Sequence, residues 1–313
     1  MTQPVNGQAE VIGKFASGSA QWHAARASGV GGSEISAVVG LSPWESRFAL
    51  WHRKKDRLPG VAESNAMKWG TLLEPVVAAE YAENHVGPGY SVTTGATYRH
   101  VDRPWQIANP DLLIWSDTGE LVDGVEIKCP GLDFNEKWPP SGSDAIPIYY
   151  RCQIAWYCDV MGLDSMILRA LIGGNDPRTY RIRPTLEDRE FLREEGGKFW
   201  HELENDILPN LDSHLATYQA LRELHPDIDR SVIVDVDAEL ADLWWSVQDQ
   251  LDAAEAAHRA VRIELANRIG HGWKARCGDQ NVAYRVRPAN GGDPYVKSAP
   301  RPHADTSIKE AAA

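Results

Sequence analysis

The chain has 313 residues, 43% hydrophobic and 24% charged, with a formal net charge of −12. These fractions belong to a globular protein with room for a sizeable core, and no apolar run approaches bilayer-spanning length. The four cysteines, Cys129, Cys152, Cys158 and Cys277, form no C-x-x-C pair and share no zinc-finger spacing with histidine, which points to reduced thiols.

The acidity is uneven: residues 1–184 carry −3, residues 185–270 carry −12 and residues 271–313 carry +3. This excludes a uniformly basic surface but leaves a DNA substrate open. The N-terminus, MTQPVNGQAEVIGKF, has no basic-then-apolar signal pattern, so the cytoplasm is the expected compartment, with no membrane partner.

In chain order, a short helix is expected to carry Trp22, Ala25 and Arg26. Gly29–Gly32 breaks it, and Ser33 stands at the N-cap of a helix over EISAVV. A Gly-rich loop before a helix offers backbone N–H groups to an anion, and Arg26 adds a forked donor. The same residues also read as a plain capped helix after a turn. Ser46–Lys55 is a further helix with a basic end. Asn65 caps a helix over Ala66–Glu83 whose Leu72, Leu73, Val76, Val77 and Tyr81 form an apolar stripe. Pro75 requires that this helix start near Leu73 or bend at Glu74. Glu74 reads either as an exposed helical acid or as a functional one.

Tyr90–His100 and Trp105–Ala108 are strand-like. Ile146–Met161 is a helix apolar on most faces, with Arg151 and Gln153 as polar exceptions that need partners. Strand-like runs follow at Ser165–Ile172 and Thr179–Arg183, then an acidic helix over Leu186–Leu208. Residues 209–235 read as a connection. Ala238–Ile269 is a long helix with a heptad-like stripe suited to pairing with another helix. Gly272–Val286 is a small hairpin. The expected division is a mixed α/β (α+β) domain over 1–208, a helical extension with a hairpin over 209–287 and a disordered tail over 288–313.

The chemistry concentrates in IANPDLLIWSDTGELVDGVEIKCP, Ile107 to Pro130. Two strand-length runs flank a turn-like SDTG, so a hairpin brings Asp111 towards Glu126. Glu126 and Lys128 share one face of the second strand, and Ile127 points the other way. Two carboxylates and the Ile127 carbonyl are oxygen donors for a hard divalent cation, with an ammonium beside them.

Pro110-Asp111 and Glu126-Ile127-Lys128 resemble the PD-(D/E)-x-K nuclease signature. With Trp22 through Arg26, Gly32-Ser33-Glu34, Trp69-Gly70, Glu74, Asn109, Cys129-Pro130 and Gln153, in that order, the chain resembles the YqaJ-like viral recombinase family, which includes the phage lambda exonuclease. The resemblance covers about residues 20–185. It implies a restriction-endonuclease-like core, with a central mixed sheet between helices, in an enzyme of a phage-infected bacterial cytoplasm. The implied activity is Mg²⁺-dependent 5′-to-3′ degradation of linear double-stranded DNA, leaving 3′ single-stranded overhangs for recombination, with Mn²⁺ as a substitute ion. It implies Asp111, Glu126, the Ile127 carbonyl and Glu74 around the metals, Lys128 on the attacking water, Gln153 as a further active-site group, and Arg26 and Ser33 on a 5′-phosphate. Trp22 either stacks on a terminal base or packs in the core. A single-strand annealing protein and a trimeric ring are the implied partners. The missing C-x-x-C argues against an iron–sulfur cluster. An endonuclease of the same fold and a catalytically idle binding module are the alternatives.

Overall fold

The structure is a computed structural model that describes residues 5–16, 18–131 and 138–300. It divides into two compact units, the first running to Pro226 and the second from Asp227 to Ala304. Among the described residues, no helix is long and apolar enough to cross a membrane.

The first unit holds β1 (Ala9–Gly13), α1 (Ala20–Ala27), β2 (Val30–Gly31), α2 (Gly32–Val38), α3 (Arg47–Lys54), α4 (Asn65–His85), β3 (Tyr90–Thr94), β4 (Thr97–His100), β5 (Gln106–Ala108), β6 (Leu112–Ser116), β7 (Leu121–Lys128), α5 (Ile148–Met161), β8 (Met166–Ile172), β9 (Asp176–Ile182), α6 (Leu186–Glu204) and α7 (Leu215–Leu224). One sheet runs β1-β4-β5-β2 and the other β3-β6-β7-β8-β9. In the larger sheet β6 and β7 pair antiparallel, β7 and β8 pair parallel across α5, and β8 and β9 pair antiparallel. This is the expected mixed α/β core. Tyr90–His100, expected as one strand, is two: Gly95 and Ala96 intervene, and β3 and β4 join different sheets.

Period-two alternation sorts β7 between two cores. Val125 and Ile127 face one side, where they pack with Val77 and Tyr81 of α4 and with Leu112, Ile114 and Ile167. Glu126 therefore points to the side of α5. That helix is buried at every position from Cys152 to Met161, which explains its lack of a polar face. Trp156 Nε1 donates to the carbonyls of Val30 and Ile107 at 3.2 and 3.0 Å, tying α5 to the edges of β2 and β5.

Several boundaries differ from expectation. Ser64, not Asn65, caps α4, its side chain accepting from the N–H of Met67, and the helix continues through Pro75 without a break. The tertiary contacts of Val77 and Tyr81 hold it past the hydrogen bond that Pro75 removes. Residues 209–235 contain α7, whose Ala216 and Ala220 pack with Phe48, Ala49 and Leu58. The first unit thus extends past 208.

The second unit has α8 (Ala238–Ile269) and a three-stranded sheet of β10 (Lys274–Cys277), β11 (Gln280–Val286) and β12 (Tyr295–Ser298). β12 lies in the stretch expected to be disordered, and it pairs with β11 from Ala283↔Ser298 to Val286↔Tyr295. Residues 301–313 of that expected tail lie outside the described residues.

Candidate active site

Asp111 sits at the mouth of the hairpin, just before β6. Its N–H donates to the carbonyl of Val125 at 3.2 Å, and its Oδ2 accepts from the N–H of Ile127 at 2.6 Å. Gly95 packs against this corner, its N–H donating to the Asp111 carbonyl at 2.9 Å. A Cβ on Gly95 would stand 1.7 Å from the Pro110 carbonyl oxygen, so only glycine permits this approach.

Glu126 and Lys128 share a face of β7, as the alternation requires. Lys128 Nζ donates to Glu126 Oε1 at 2.6 Å, and Gln153 Nε2 donates to the same oxygen at 2.6 Å. Gln153 also meets the Tyr157 hydroxyl at 3.1 Å, one helical turn along α5. Among the described residues, the buried Oε2 of Glu126 has no hydrogen-bond partner. A buried acceptor left open costs about 1–3 kcal/mol, and a cation is the simplest group to satisfy it.

The electrostatics agree. Burial raises the Asp111 carboxyl well above its ordinary range, and the neighbouring Glu126 and Glu74 push the same way. Burial also raises Glu126, against the pull of Lys128. Burial and then Glu126 raise Glu74, which lines the same cleft from α4. For Lys128 burial opposes the charge, but Glu126, Tyr150 and Asp111 outweigh it and hold the ammonium protonated. Carboxylates crowded in low dielectric favour a bound cation over their own protonation. Among the described residues, no group of three His, Cys, Asp or Glu side chains is gathered as a ready-made metal cage. Mg²⁺ still fits, because it keeps several of its waters and needs only one or two carboxylates.

Arg26 and Ser33 meet: Arg26 Nη2 donates to Ser33 Oγ at 3.0 Å and to Glu34 Oε1 at 3.1 Å. Ser33 is not the N-cap expected of it. Gly31 occupies that position, and Glu34 Oε2 accepts from the Gly31 N–H at 2.8 Å. The Glu34 carboxylate has taken over the capping, and the Ser33 hydroxyl is released towards Arg26. Trp22 is half-buried under the Arg26 guanidinium, whose carbon lies 4.7 Å from the ring centroid. It is a cleft residue, not part of the core.

The acids and the Arg26 loop share one cleft of about 420 Å³. Trp22, Arg26 and Ser33 stand with Glu74, Asp111, Glu126, Lys128 and Gln153, joined by Lys14 and Tyr157. A larger apolar cavity of about 790 Å³, with Trp44, Met67, Tyr149 and Tyr150 in its wall, shares only Lys128 with it.

Three residues of the site carry little or no signal in the sequence. Lys54 is bonded to Glu34 Oε2 at 2.9 Å and to the carbonyls of Arg26 and Gly29 at 3.0 and 2.7 Å, so α3 braces the Arg26 loop. Only the basic end of SRFALWHRKK hints at it, and a basic helix end is ordinarily solvated. Tyr157 is the most findable, being four residues after Gln153 on one helix. Lys14, hydrogen-bonded to Thr94, has no signal.

Residues 21–164 match the model of the YqaJ-like viral recombinase domain. The YqaJ protein of Bacillus subtilis (strain 168) is 26% identical over 276 residues, 85% of this chain and 82% of that protein. Protein D345L of African swine fever virus (strain Badajoz 1971 Vero-adapted) is 38% identical over 154 residues, 42% of this chain and 43% of that protein. Among solved structures, an alkaline exonuclease from Laribacter hongkongensis is similar at 21% identity, over 60% of this chain and 94% of that one, with a TM-score of 0.47. Its complex with dAMP gives 22% identity, 60% and 94% coverage, and a TM-score of 0.48. The family match and the geometry of the cleft support a nuclease role.

Proposed function

We propose that this chain, whose residues 21–164 match the YqaJ-like viral recombinase domain model, is a metal-dependent exonuclease. It degrades linear double-stranded DNA from 5′-phosphorylated ends in the 5′-to-3′ direction and leaves 3′ single-stranded overhangs for recombination. The observation that carries this reading is the common cleft: Arg26 and Ser33 line the same cavity as Asp111, Glu126 and Lys128. An anion-binding pair in the cavity that holds the hydrolytic groups suits an enzyme that grips a terminal phosphate while it cuts a nearby bond.

Asp111 and Glu126, through its open Oε2, with the Ile127 carbonyl, are the groups that would hold Mg²⁺ here, and Glu74 of the same cleft would add a further acid. Bound there, the ion supplies Lewis-acid stabilisation of the phosphorane and lowers the pKa of its water. Lys128 stays charged, orients the attacking water and offsets charge developing on the phosphoryl oxygens. Gln153 fixes Oε1 of Glu126 and so would leave Oε2 free for a cation. Arg26 and Ser33 hold the terminal phosphate, and Trp22 packs under Arg26 and beside the terminal base.

The test is hydrolysis of a linear duplex against a covalently closed circle of the same sequence, in Mg²⁺ and in EDTA. Mg²⁺-dependent loss of the linear form alone supports the exonuclease. Cutting of the circle identifies an endonuclease instead, and no hydrolysis in either identifies an idle binding module.

A further inference from the structure

The second unit is electrically polarised. Residues 227–255 carry nine acids and one base, whereas residues 256–300 carry eight Lys and Arg against three acids. The basic half includes the three-stranded sheet. Register fixes which of its side chains share a face, because directly paired residues project to the same side. Ala283 and Val296 are buried, and with Arg285 and Ser298 they define one face. The opposite face carries a row across all three strands: Lys274 pairs with Tyr284, and Tyr284 with Lys297. The next row on that face is Val286 with Tyr295.

Trp273 extends this face, 67% exposed, with its ring 6.1 Å from that of Tyr284 and the Lys274 ammonium 4.6 Å from its centroid. Tyr295 is 45% exposed. Neither Lys274 nor Lys297 has a carboxylate within ion-pair distance among the described residues, whereas Arg26, Arg47, Lys54, Arg103 and Lys128 of the first unit are all paired. A solvated surface selected only for solubility needs no exposed tryptophan, and a protein-docking face of this size would ordinarily shed its lysines.

We propose that this face of the β10-β11-β12 sheet binds single-stranded nucleic acid. Lys274 and Lys297 lie two strands apart, about 10 Å at ordinary sheet spacing, and take successive parts of a phosphate backbone. Trp273, Tyr284 and Tyr295 between and beside them offer rings to bases. Only unpaired bases expose a face for such stacking, which selects single strand over duplex. The site is built from residues of the second unit alone, and its existence does not depend on the activity proposed for the first unit.

The experiment is fluorescence anisotropy of the full chain with labelled 5′-hydroxyl oligo-dT in EDTA, conditions that withhold both end phosphate and metal. Binding is followed against salt. Lys274→Gln/Lys297→Gln should lower the slope of log affinity against log salt by about 1.4, roughly 0.7 for each single-strand phosphate no longer neutralised. Trp273→Ala should weaken binding roughly tenfold with the slope unchanged. Thermal melting of each variant checks that the unit remains folded, and Tyr295→Ser replaces any variant that does not. Wild-type affinity and slope in all folded variants would overturn the proposal, as would a duplex that binds as tightly as oligo-dT and loses as much.

Discussion

Gln153 and Glu126 meet at 2.6 Å, and the oxygen Gln153 contacts is the one Lys128 already holds. Both donors converge on Oε1, and Oε2 is left without a hydrogen-bond partner among the described residues. A carboxylate whose two oxygens are so unequally served is oriented for something at the open one. Removing the orienting amide should therefore act on metal use. Gln153→Ala is expected to lower Mg²⁺ affinity or activity by about 10–100-fold, with the Mg²⁺ half-saturation moved upwards. A loss of rate with unchanged half-saturation would assign Gln153 to packing alone.

The crowded acids have a stability consequence. Burial, then Glu126 and Glu74, raises the folded pKa of Asp111 above its unfolded value. The folded state therefore bears a cost once pH rises above the unfolded pKa, and the cost fades as pH falls below it. Asp111→Asn keeps an acceptor for the Ile127 N–H and removes the charge. It is expected to melt higher than wild type in EDTA at neutral pH, by about 2–4 °C per kcal/mol relieved. The gap should close in acid. Mg²⁺ should raise the wild-type melting temperature and leave the variant's unchanged. Equal Mg²⁺ shifts would show that Asp111 holds no ion.

Lys54 acts on Arg26 through Glu34. Glu34 shares its charge among Arg26, Lys54 and the Gly31 N–H. Lys54→Met leaves that charge to Arg26 and the Gly31 N–H and unties α3 from the Arg26 and Gly29 carbonyls. The expected result is a KM for 5′-phosphorylated ends raised several-fold, on the order of one missing charge-assisted bond, with kcat nearly unchanged. A fall in kcat alone would contradict this positioning role. Burial opposes ionisation of Glu34, but Lys54 and Arg26 outweigh it, so its pKa lies below the ordinary 4.5. Its stabilisation is present above that value and is lost as pH falls through the lowered one. The melting-temperature gap between wild type and Glu34→Gln should narrow in that acid window.

Gly95 is a packing requirement for Asp111. An alanine there meets the Pro110 carbonyl oxygen at 1.7 Å, whereas Gly60 has open space. Gly95→Ala should lose both stability and activity, on the order of 1–3 kcal/mol for a forced backbone shift, and Gly60→Ala should lose neither. Equal behaviour of the two would remove Gly95 from the account.

What can be read from the chain is what local periodicity encodes. Asp111, Glu126 and Lys128 lie on one hairpin, where strand alternation alone places them. Gln153 stands out as a polar group on an apolar helix. What stays hidden depends on competition or distance. Ser33 satisfies every rule for an N-cap, yet Glu34 takes the cap. Glu34 and Lys54 are twenty positions apart in sequence, and only the packing of α3 brings them together. α7 is hidden because its buried positions, Ala216, Thr217 and Ala220, are too small or polar to mark an apolar stripe. β12 is hidden because polar, Gly- and Pro-rich sequence around it outweighs a four-residue strand held by its partner.

In the proposed function, one cleft both reads a 5′-phosphate and cuts beside it. The most direct measurement is kcat/KM in Mg²⁺ for linear duplexes bearing 5′-phosphate or 5′-hydroxyl ends, for wild type and for Arg26→Gln. The expected result is a clear wild-type preference for the phosphate that collapses towards unity in Arg26→Gln, with residual cutting of the hydroxyl end retained. Equal rates on both ends in wild type, or a preference that survives Arg26→Gln, would contradict it.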